Sequence, residues 1–532
     1  MGMQSSSPGV QKTLSTKRLC REAPWLLGVA VGLVGLWWRG YAFVPLPFLS
    51  SYDWMEYVPS AWMVTHGLDI GGYATWRNPL YPAILGQVGE LTTYNDAAWL
   101  IASVCMSLVV FSAGLGARAL ATPWAGFLAA VTIPTINPWA EASRWATLYP
   151  MLTATTGLTL ACGAAFLRWG HPLFGALGAL AAGLALGIDF RGLAMVAVMT
   201  VLTLLAWCRH RRPGIAVLAL ALMVVGPAMN HAKAVSHQKG TDTAVQTQRA
   251  LEVRLAIESG NMDLVQACRS EPTDEAYPSL AALSRPCAWA FVRDNLDRFK
   301  DQAPFGVGLT LLVLPLVLLA GGRGGWATLN SVLVFGAGWG ALFLMAIWAR
   351  LNVHHFVQFA VPIAMVIPVA LSRALQSFTF PRTQSAAQMV TALVASAWVW
   401  TAGPWAGKAV DDLATAEQNQ LLGWMLSGVD MHVDLDGGDQ LLDCSGLGVE
   451  AALLPRRLNS GLPNFQTSAS AQRCTEWIHS PPEIAGRQWL LTRQEPDFAG
   501  PPAPPWMAVE SWVDGPRRTW LWMRVDSRGG RP

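Results

Sequence analysis

The chain has 532 residues, of which 52% are hydrophobic and only 13% are charged. A soluble protein of this length needs far more charge to cover its surface, so the composition excludes a soluble multidomain protein. The 26 Trp residues suit membrane interfaces, where one side of an indole ring is apolar and the other is wet. The formal net charge of +3 gives no indication of nucleic-acid binding.

A membrane-spanning helix needs about 20 predominantly apolar residues. Eleven segments approach this requirement, and the third of them is short and contains Pro134 and Pro138. The first ends in Trp37-Trp38-Arg39 without a small-residue cleavage site, so we expect a retained span rather than a signal peptide. The predicted spans are Pro24–Phe43, Ala97–Leu120, Pro123–Pro138, Ala146–Leu167, Pro172–Ile188, Gly192–Cys208, Gly214–Asn230, Pro304–Gly321, Trp326–Trp348, Phe356–Leu371 and Gln388–Trp405.

The basic residues predict the orientation of these spans, because Lys and Arg concentrate in cytoplasmic loops. With the N-terminus inside, the inner segments carry the Arg residues and Glu22 is the only acid among them, whereas the outer segments carry Asp and Glu. An odd number of spans then places the C-terminus outside. The sequence therefore predicts a multi-pass protein of the inner (plasma) membrane, with a cytoplasmic N-terminus and a periplasmic or extracellular C-terminal domain.

The predicted fold is an all-α polytopic membrane protein with about 11 transmembrane helices and a small extracytoplasmic α/β domain at its C-terminus. Residues 1–23 form the cytoplasmic tail and residues 24–406 the membrane domain, with large outer loops at 44–96 and 231–303. Residues 407–532 form the C-terminal domain, with a helix at Asp411–Leu426 and strands near Gln440–Asp443, Trp489–Thr492 and Thr519–Val525.

Cysteines occur as one pair in each of two predicted exported segments. Cys268 and Cys287 share the second outer loop, and Cys444 and Cys474 share the C-terminal domain. An oxidising compartment permits disulfides, and both pairs are too widely spaced for a Cys-x-x-Cys metal or redox site. We therefore predict the disulfides Cys268–Cys287 and Cys444–Cys474.

The first outer loop carries the most informative pattern. Asp53 and Glu56 follow the first span, an apolar helical segment continues to His66-Gly67, and Arg77-Asn78-Pro79-Leu80-Tyr81-Pro82 leads back towards the membrane. This layout resembles the GT-C glycosyltransferases, which are membrane enzymes that use polyprenyl-phosphate-linked sugars. The resemblance is greatest to the bacterial branch with protein mannosyltransferase-like, lipid A aminoarabinose transferase-like and RgtA/B/C/D-like enzymes.

Three further segments agree with this resemblance, which covers about residues 24–371. Asn137 to Arg144 stands where the family has its second outer loop, Gly183 to Arg191 resembles a Gly-x-x-x-Gly-x-x-x-Arg stretch, and Arg350 to His355 resembles a late basic turn. Two positions depart from the family. The first-loop acids are separated rather than adjacent, and Tyr149-Pro150 stands where several relatives have an acid.

The resemblance implies a reaction that requires few protein groups. Asp53 is the predicted general base for the acceptor hydroxyl, and Glu56 and Glu141 are further catalytic candidates. Positive side chains hold the departing lipid phosphate, and Arg suits this task because its guanidinium makes bidentate contacts. The candidates for the phosphate are Arg77, Arg144, Arg191, Arg350, His354 and His355.

Each of these residues also has a purely structural interpretation. Asp53 and Glu56 can be helix caps, Glu141 and Arg144 can pair with each other, Arg77 can reach lipid headgroups, and Asp189 and Arg191 can bound a tight turn. No cofactor is implied, and a divalent metal is possible but not indicated, since His354-His355 is too closely spaced for ligation from one helix face and has no third ligand nearby in the sequence.

The predicted function is that of a hexosyl or pentosyl transferase of the bacterial cell envelope. The expected partners are a polyprenyl-phosphate sugar donor, a glycan, lipid or protein acceptor, and membrane lipids, with no nucleic acid. A non-catalytic relative that binds a lipid-linked glycan and a transporter or flippase are the alternatives. Inverted repeats and mid-membrane charges would favour the transporter, and the sequence shows neither.

Overall fold

A computed structural model describes residues 8–38, 57, 60–61, 64–65, 78–92, 94–135, 147–211, 222–225, 228, 289, 293–297, 325–348, 357–376, 381–401, 425, 428–429, 431–434, 439–444, 488–494, 506–514 and 517–525. The chain divides into two compact units, which we describe separately. The first comprises Met1–Phe43, Ile101–Ser143 and Leu148–Ala406, and the second Val44–Leu100, Arg144–Thr147 and Gly407–Pro532.

Ten α-helices lie in the described part of the chain. A short 3₁₀ turn, Ile133–Thr135, follows the fourth of these helices, because Pro134 has no N–H to continue an α-helix. The helices are α1 (Pro8–Leu36), α2 (Leu80–Gly89), α3 (Tyr94–Leu120), α4 (Pro123–Thr132), α5 (Tyr149–Trp169), α6 (Pro172–Ile188), α7 (Gly192–His210), α8 (Gly325–Trp348), α9 (Val357–Gln376) and α10 (Pro381–Thr401).

Nine of the eleven predicted spans coincide with a helix, and the two at Gly214–Asn230 and Pro304–Gly321 lie largely or wholly outside the described residues. Within the described part, four helical segments are long and apolar enough to cross a membrane: Ala97–Leu120, Tyr149–Trp169, Gly192–His210 and Gly325–Leu344. The shorter apolar helices are Glu22–Leu36, Pro172–Ile188 and Val361–Gln376. A polytopic membrane protein is thereby confirmed, while the count of eleven remains a prediction.

The outward faces of the helices fit a lipid environment. On α10, Met389, Val390, Leu393 and Val394 are 58–64% exposed, a degree of apolar exposure that water does not favour. Inside the first unit, α1 and α4 pack with their backbones in contact. A Cβ atom on Gly32 would lie 2.3 Å from the Ala130 carbonyl oxygen, so the small residue permits this close crossing.

The C-terminal part of the second unit contains a four-stranded mixed sheet in the order β1-β2-β4-β3. Strand β1 (Gln440–Cys444) is parallel to β2 (Gln488–Gln494), whereas β4 (Arg517–Arg524) pairs antiparallel with both β2 and β3 (Trp506–Asp514). The sequence predicted three of these strands and missed β3. Helical residues continue to His432, past the predicted end at Leu426.

One face of this sheet forms a core with the preceding helical residues. Alternate side chains of the strands point to that face, because neighbouring residues in a strand point to opposite sides. The core residues are Met425, Val429, Val433, Leu441, Trp489, Leu491, Trp512 and Leu521. An α/β arrangement of the C-terminal segment is therefore present in the described residues.

Candidate functional site

Two tyrosines of the second unit, close in sequence to the predicted catalytic acids and to the Pro-Leu-Tyr-Pro motif, pack against each other. Tyr57, which directly follows Glu56 in the chain, is only 2% exposed. Its ring lies edge-on against Tyr81, with 5.1 Å between the ring centroids and 90° between the ring planes. Tyr81 belongs to the Pro-Leu-Tyr-Pro motif, so this motif contributes a packing surface for the loop as well as a helix start.

The local sequence explains why α2 begins within that motif. Pro79 is the N-cap and Pro82 lies in the first helical turn, where a missing N–H costs nothing because those groups have no partner within the helix. Gly86 then lies close to the helical residue Ala61, so that a Cβ at this position would be 2.6 Å from the Ala61 carbonyl oxygen. Tyr57 and Ala61 thus pack tightly onto α2.

Arg191 lies in the tight turn between α6 and α7 and is 2% exposed. Its Nε donates to Oδ1 of Asp189 at 2.8 Å, and its Nη2 donates to Oδ2 at 3.2 Å. The backbone N–H of Arg191 also donates to Oδ1, at 2.9 Å. Asp189 therefore fixes the turn and orients the guanidinium through three bonds.

Tyr149 completes this arrangement from the start of α5. The Arg191 Cζ atom lies 5.2 Å from the centre of the Tyr149 ring, a cation–π distance. The sequence marked Tyr149 as a departure from the family, at a position where several relatives carry an acid, but did not assign it a contact. The structure shows that the aromatic ring lies against the buried guanidinium.

Gly192 makes the turn possible. A Cβ atom there would lie 2.1 Å from the backbone nitrogen of Leu186 and 2.3 Å from the carbonyl carbon of Ala185. Backbone atoms cannot move aside as a flexible side chain can, so only glycine fits. We call Tyr149, Asp189, Arg191 and Gly192 the Arg191 turn.

A buried amide links the start of α9 to α5. Gln358, three residues after His355, is 2% exposed, and its Nε2 donates to the hydroxyl of Thr156 at 2.8 Å. These residues are 202 positions apart in the chain, and nothing in the sequence pattern pointed to their contact. The bond holds the beginning of α9 against α5.

A second polar cluster lies at the other end of α5 and α7. Arg118 at the end of α3 binds Glu22 through two bonds of 2.8 and 2.7 Å. The Nη1 of Arg168 donates to the carbonyl oxygens of Arg118, Ala119 and Ala121, where the last carbonyls of α3 lack helical partners. We call Glu22, Arg118 and Arg168 the Arg118 cluster.

Most of the predicted site residues lie outside the described part of the chain, so their roles stay predictions. They are Asp53, Glu56, Arg77, Glu141, Arg144, Arg350, His354 and His355. The disulfides stay predictions too, since Cys268, Cys287 and Cys474 are not described and Cys444 is described only as the last residue of β1. Within the described ranges no group of three metal-ligating side chains occurs, and the metal requirement also remains a prediction.

Comparisons with known proteins show the fold of this chain. No family model matches the sequence, and no curated protein matches it either. Among solved structures, ArnT from Cupriavidus metallidurans bound to undecaprenyl phosphate aligns with a TM-score of 0.54 at 14% identity, over 95% of this chain and 98% of ArnT. ArnT in its apo state aligns with a TM-score of 0.45 at 15% identity, over 98% and 100% of the two chains.

The oligosaccharyltransferase of Archaeoglobus fulgidus, tethered to an acceptor peptide, aligns with a TM-score of 0.43 at 11% identity, over 90% of this chain and 69% of that one. Scores below 0.5 support no detailed comparison. The alignment with undecaprenyl-phosphate-bound ArnT nevertheless spans nearly the whole of both chains. ArnT is an aminoarabinose transferase of the GT-C superfamily. The chain therefore has the GT-C fold that its loop motifs predicted.

Proposed function

We propose that this protein is a membrane glycosyltransferase that moves a sugar from a polyprenyl-phosphate donor to an acceptor on the periplasmic or outer face. One observation supports the proposal most directly. The fold aligns over 95% of the chain with ArnT, whose structure contains undecaprenyl phosphate, a lipid carrier of the proposed class. The apolar helices of the described part agree with a donor that resides in the membrane.

In the proposed reaction, Asp53 removes the proton of the acceptor hydroxyl as the oxygen attacks the anomeric carbon of the sugar. The bond between that carbon and the phosphate oxygen breaks, and the lipid phosphate leaves with both electrons of the bond. No acid is needed for a phosphate leaving group, but positive charge stabilises it. Glu56 and Glu141 are proposed to bind the sugar or the acceptor.

The phosphate would be held by the proposed basic residues Arg77, Arg144, Arg191, Arg350, His354 and His355. For Arg191, the contacts with Asp189 and Tyr149 support such a role, because they hold the guanidinium in one orientation. A side chain that is already ordered loses little conformational entropy when it binds a ligand. We propose that the Arg191 turn and the first outer loop lie on the outer face of an inner membrane, with the N-terminus in the cytoplasm.

The test is a deletion strain analysed by mass spectrometry of its lipids and surface glycans. A missing sugar would identify donor and acceptor together, and the wild-type gene should restore it. The Asp53→Asn variant should fail to restore the sugar while reaching the same level in the membrane. Glu90→Gln, which changes an exposed acid at the end of α2, is the matched control and should restore it fully.

Two results would contradict parts of this proposal. Full restoration by Asp53→Asn would remove Asp53 as the base. Unchanged glycans in the deletion strain, together with binding of the lipid-linked sugar by the purified protein, would favour the non-catalytic relative. Accumulation of that donor on the inner leaflet would favour the flippase.

A further inference from the structure

The ends of α7 and α8 form a basic surface that the proposed reaction does not use. Arg209 and Arg211, at the end of α7, are both exposed. The Cζ atom of Arg209 lies 5.9 Å from the centre of the Trp326 ring, at the start of α8. Trp207 and Trp326 are 44% and 40% exposed. We call these four residues the Arg209 surface.

The sequence places few acidic residues at the helix ends on the side of this surface. Glu22 is the only Asp or Glu in the sequence segments 1–24, 108–124, 165–175, 200–216, 320–332 and 368–388, which include the helix ends on this side. Both of its oxygens accept bonds from Arg118. Among the described residues, neither Arg209 nor Arg211 forms an ion pair. Two exposed guanidinium groups at the end of apolar helices can therefore attract an anion from outside the chain.

Apolar stripes lead from the Arg209 surface along both helices. On α7, Val201, Leu204 and Trp207 are 41–44% exposed, and their spacing of three residues places them on one side of the helix. On α8, Trp326, Leu329 and Val332 repeat the pattern at 38–43% exposure. The two helices pack against each other, and a Cβ atom on Gly340 would lie 3.5 Å from the Cβ of Ala194. Each stripe thus begins at the cationic end and continues along lipid-facing surface.

We propose that the Arg209 surface binds the phosphate of an anionic phospholipid, with the acyl chains lying along the apolar stripes of α7 and α8. Guanidinium groups bind phosphate through paired N–H donors, and the Trp326 ring limits the orientations available to Arg209. Basic pockets beside transmembrane helices recognise anionic headgroups in this way. This site is distinct from the proposed donor site, because Arg209 and Arg191 lie at opposite ends of α7.

The experiment measures thermal unfolding of the purified full-length protein in detergent, with added phosphatidylglycerol or with phosphatidylcholine of the same acyl chains. We expect phosphatidylglycerol to raise the melting temperature and phosphatidylcholine to do so much less. The double variant Arg209→Gln/Arg211→Gln should bind phosphatidylglycerol about tenfold more weakly, since each basic residue near an anionic headgroup contributes to binding. Because both residues are exposed, its melting temperature without lipid should match the wild type.

Two further variants test whether the effect depends on the guanidinium groups of this surface. Arg209→Lys/Arg211→Lys keeps the charge but loses the planar donor pairs, so it should bind with intermediate strength. Arg518→Gln is the matched control, because Arg518 is also exposed and lies 5.4 Å from the Trp520 ring centre in the C-terminal sheet. This control should keep the full effect of phosphatidylglycerol.

Four outcomes would overturn the proposal. The first is equal stabilisation of the wild type by the two phospholipids, and the second is an unchanged phosphatidylglycerol effect in the double Gln variant. The other two concern the source of the phosphate. If inorganic phosphate displaces phosphatidylglycerol as well as the lipid itself does, the surface is a simple anion site. If only the binding of undecaprenyl phosphate depends on Arg209 and Arg211, the surface belongs to the donor carrier.

Discussion

The two ends of α5 and α7 balance charge in different ways. At the Arg191 turn, the cation and its carboxylate are two residues apart, and the Tyr149 ring lies over the guanidinium. At the other end, Arg118 binds a carboxylate 96 positions away in the chain, and Arg168 binds carbonyl groups of α3. Arg209 and Arg211 there are exposed.

This difference shows how a charge can be buried beside a membrane. At the Arg191 turn, the carboxylate that neutralises the cation lies two residues away in the same turn. The Arg118 cluster depends on α1, α3 and α5 coming together, so its ion pair forms only in the assembled unit. An excess of cations at that end is available to anions outside the chain.

Removal of the Arg191 side chain should have the largest effect. The Arg191→Ala variant leaves the Asp189 carboxylate largely buried without its cation. The loss of one partner of a buried ion pair lowers the free energy of unfolding by about 3 kcal/mol. We expect a lower melting temperature in detergent. The double variant Asp189→Asn/Arg191→Gln removes both charges and should recover part of the lost stability. If Arg191→Ala were as stable as the wild type, the ion pair would not be structurally important.

Substitution of Gly192 should have the second-largest effect on stability. In Gly192→Ala the new methyl group meets the backbone of Leu186 and Ala185, so the turn must open. We expect this to lower the free energy of unfolding by about 2 kcal/mol. Gly336→Ala on α8 is the control, because no heavy atom lies within 4 Å of its added Cβ. That variant should be at least as stable as the wild type, and equal melting of the two variants would contradict the tight turn.

The smallest effect is expected at the Arg118 cluster. Glu22→Gln keeps the shape of the side chain but removes the charge opposite Arg118, and the Glu22 side chain is 35% exposed, so solvent screens part of the loss. We expect about 1 kcal/mol of destabilisation, which shrinks at high salt. A Glu22→Gln loss larger than that of Arg191→Ala would reverse the comparison.

Helix positions were predictable because length and hydropathy are local properties. The segment Pro172–Ile188 was predicted to the residue, since Pro172 opens the helix and Asp189 interrupts the apolar run. The third span was predicted to reach Pro138, but α4 ends at Thr132 and a 3₁₀ turn follows, because Pro134 interrupts the backbone bonds. Strand β3 was missed because Pro501–Pro505 precedes it and Glu510 and Ser511 interrupt its apolar pattern.

Individual residues of the candidate site were predictable, but the contacts between them were not. The sequence identified Asp189, Arg191 and Tyr149 as notable, but not that the Tyr149 ring lies over the guanidinium. It gave no sign of the bond between Gln358 and Thr156, because the amide and hydroxyl groups occur in helices that are remote along the chain. Contacts of this kind depend on which helix faces meet.

Three properties of this protein were readable from its sequence alone: that it spans a membrane, where its apolar helices lie approximately, and which fold its loop motifs resemble. Each of these properties follows from runs of neighbouring residues, because every lipid-embedded helix must satisfy its own backbone groups. The partners of the buried polar groups, by contrast, became known only from the way the helices pack. Arg118 with Glu22 and Gln358 with Thr156 meet because helix packing brings distant positions together, and a buried polar group is stable only where such a partner exists.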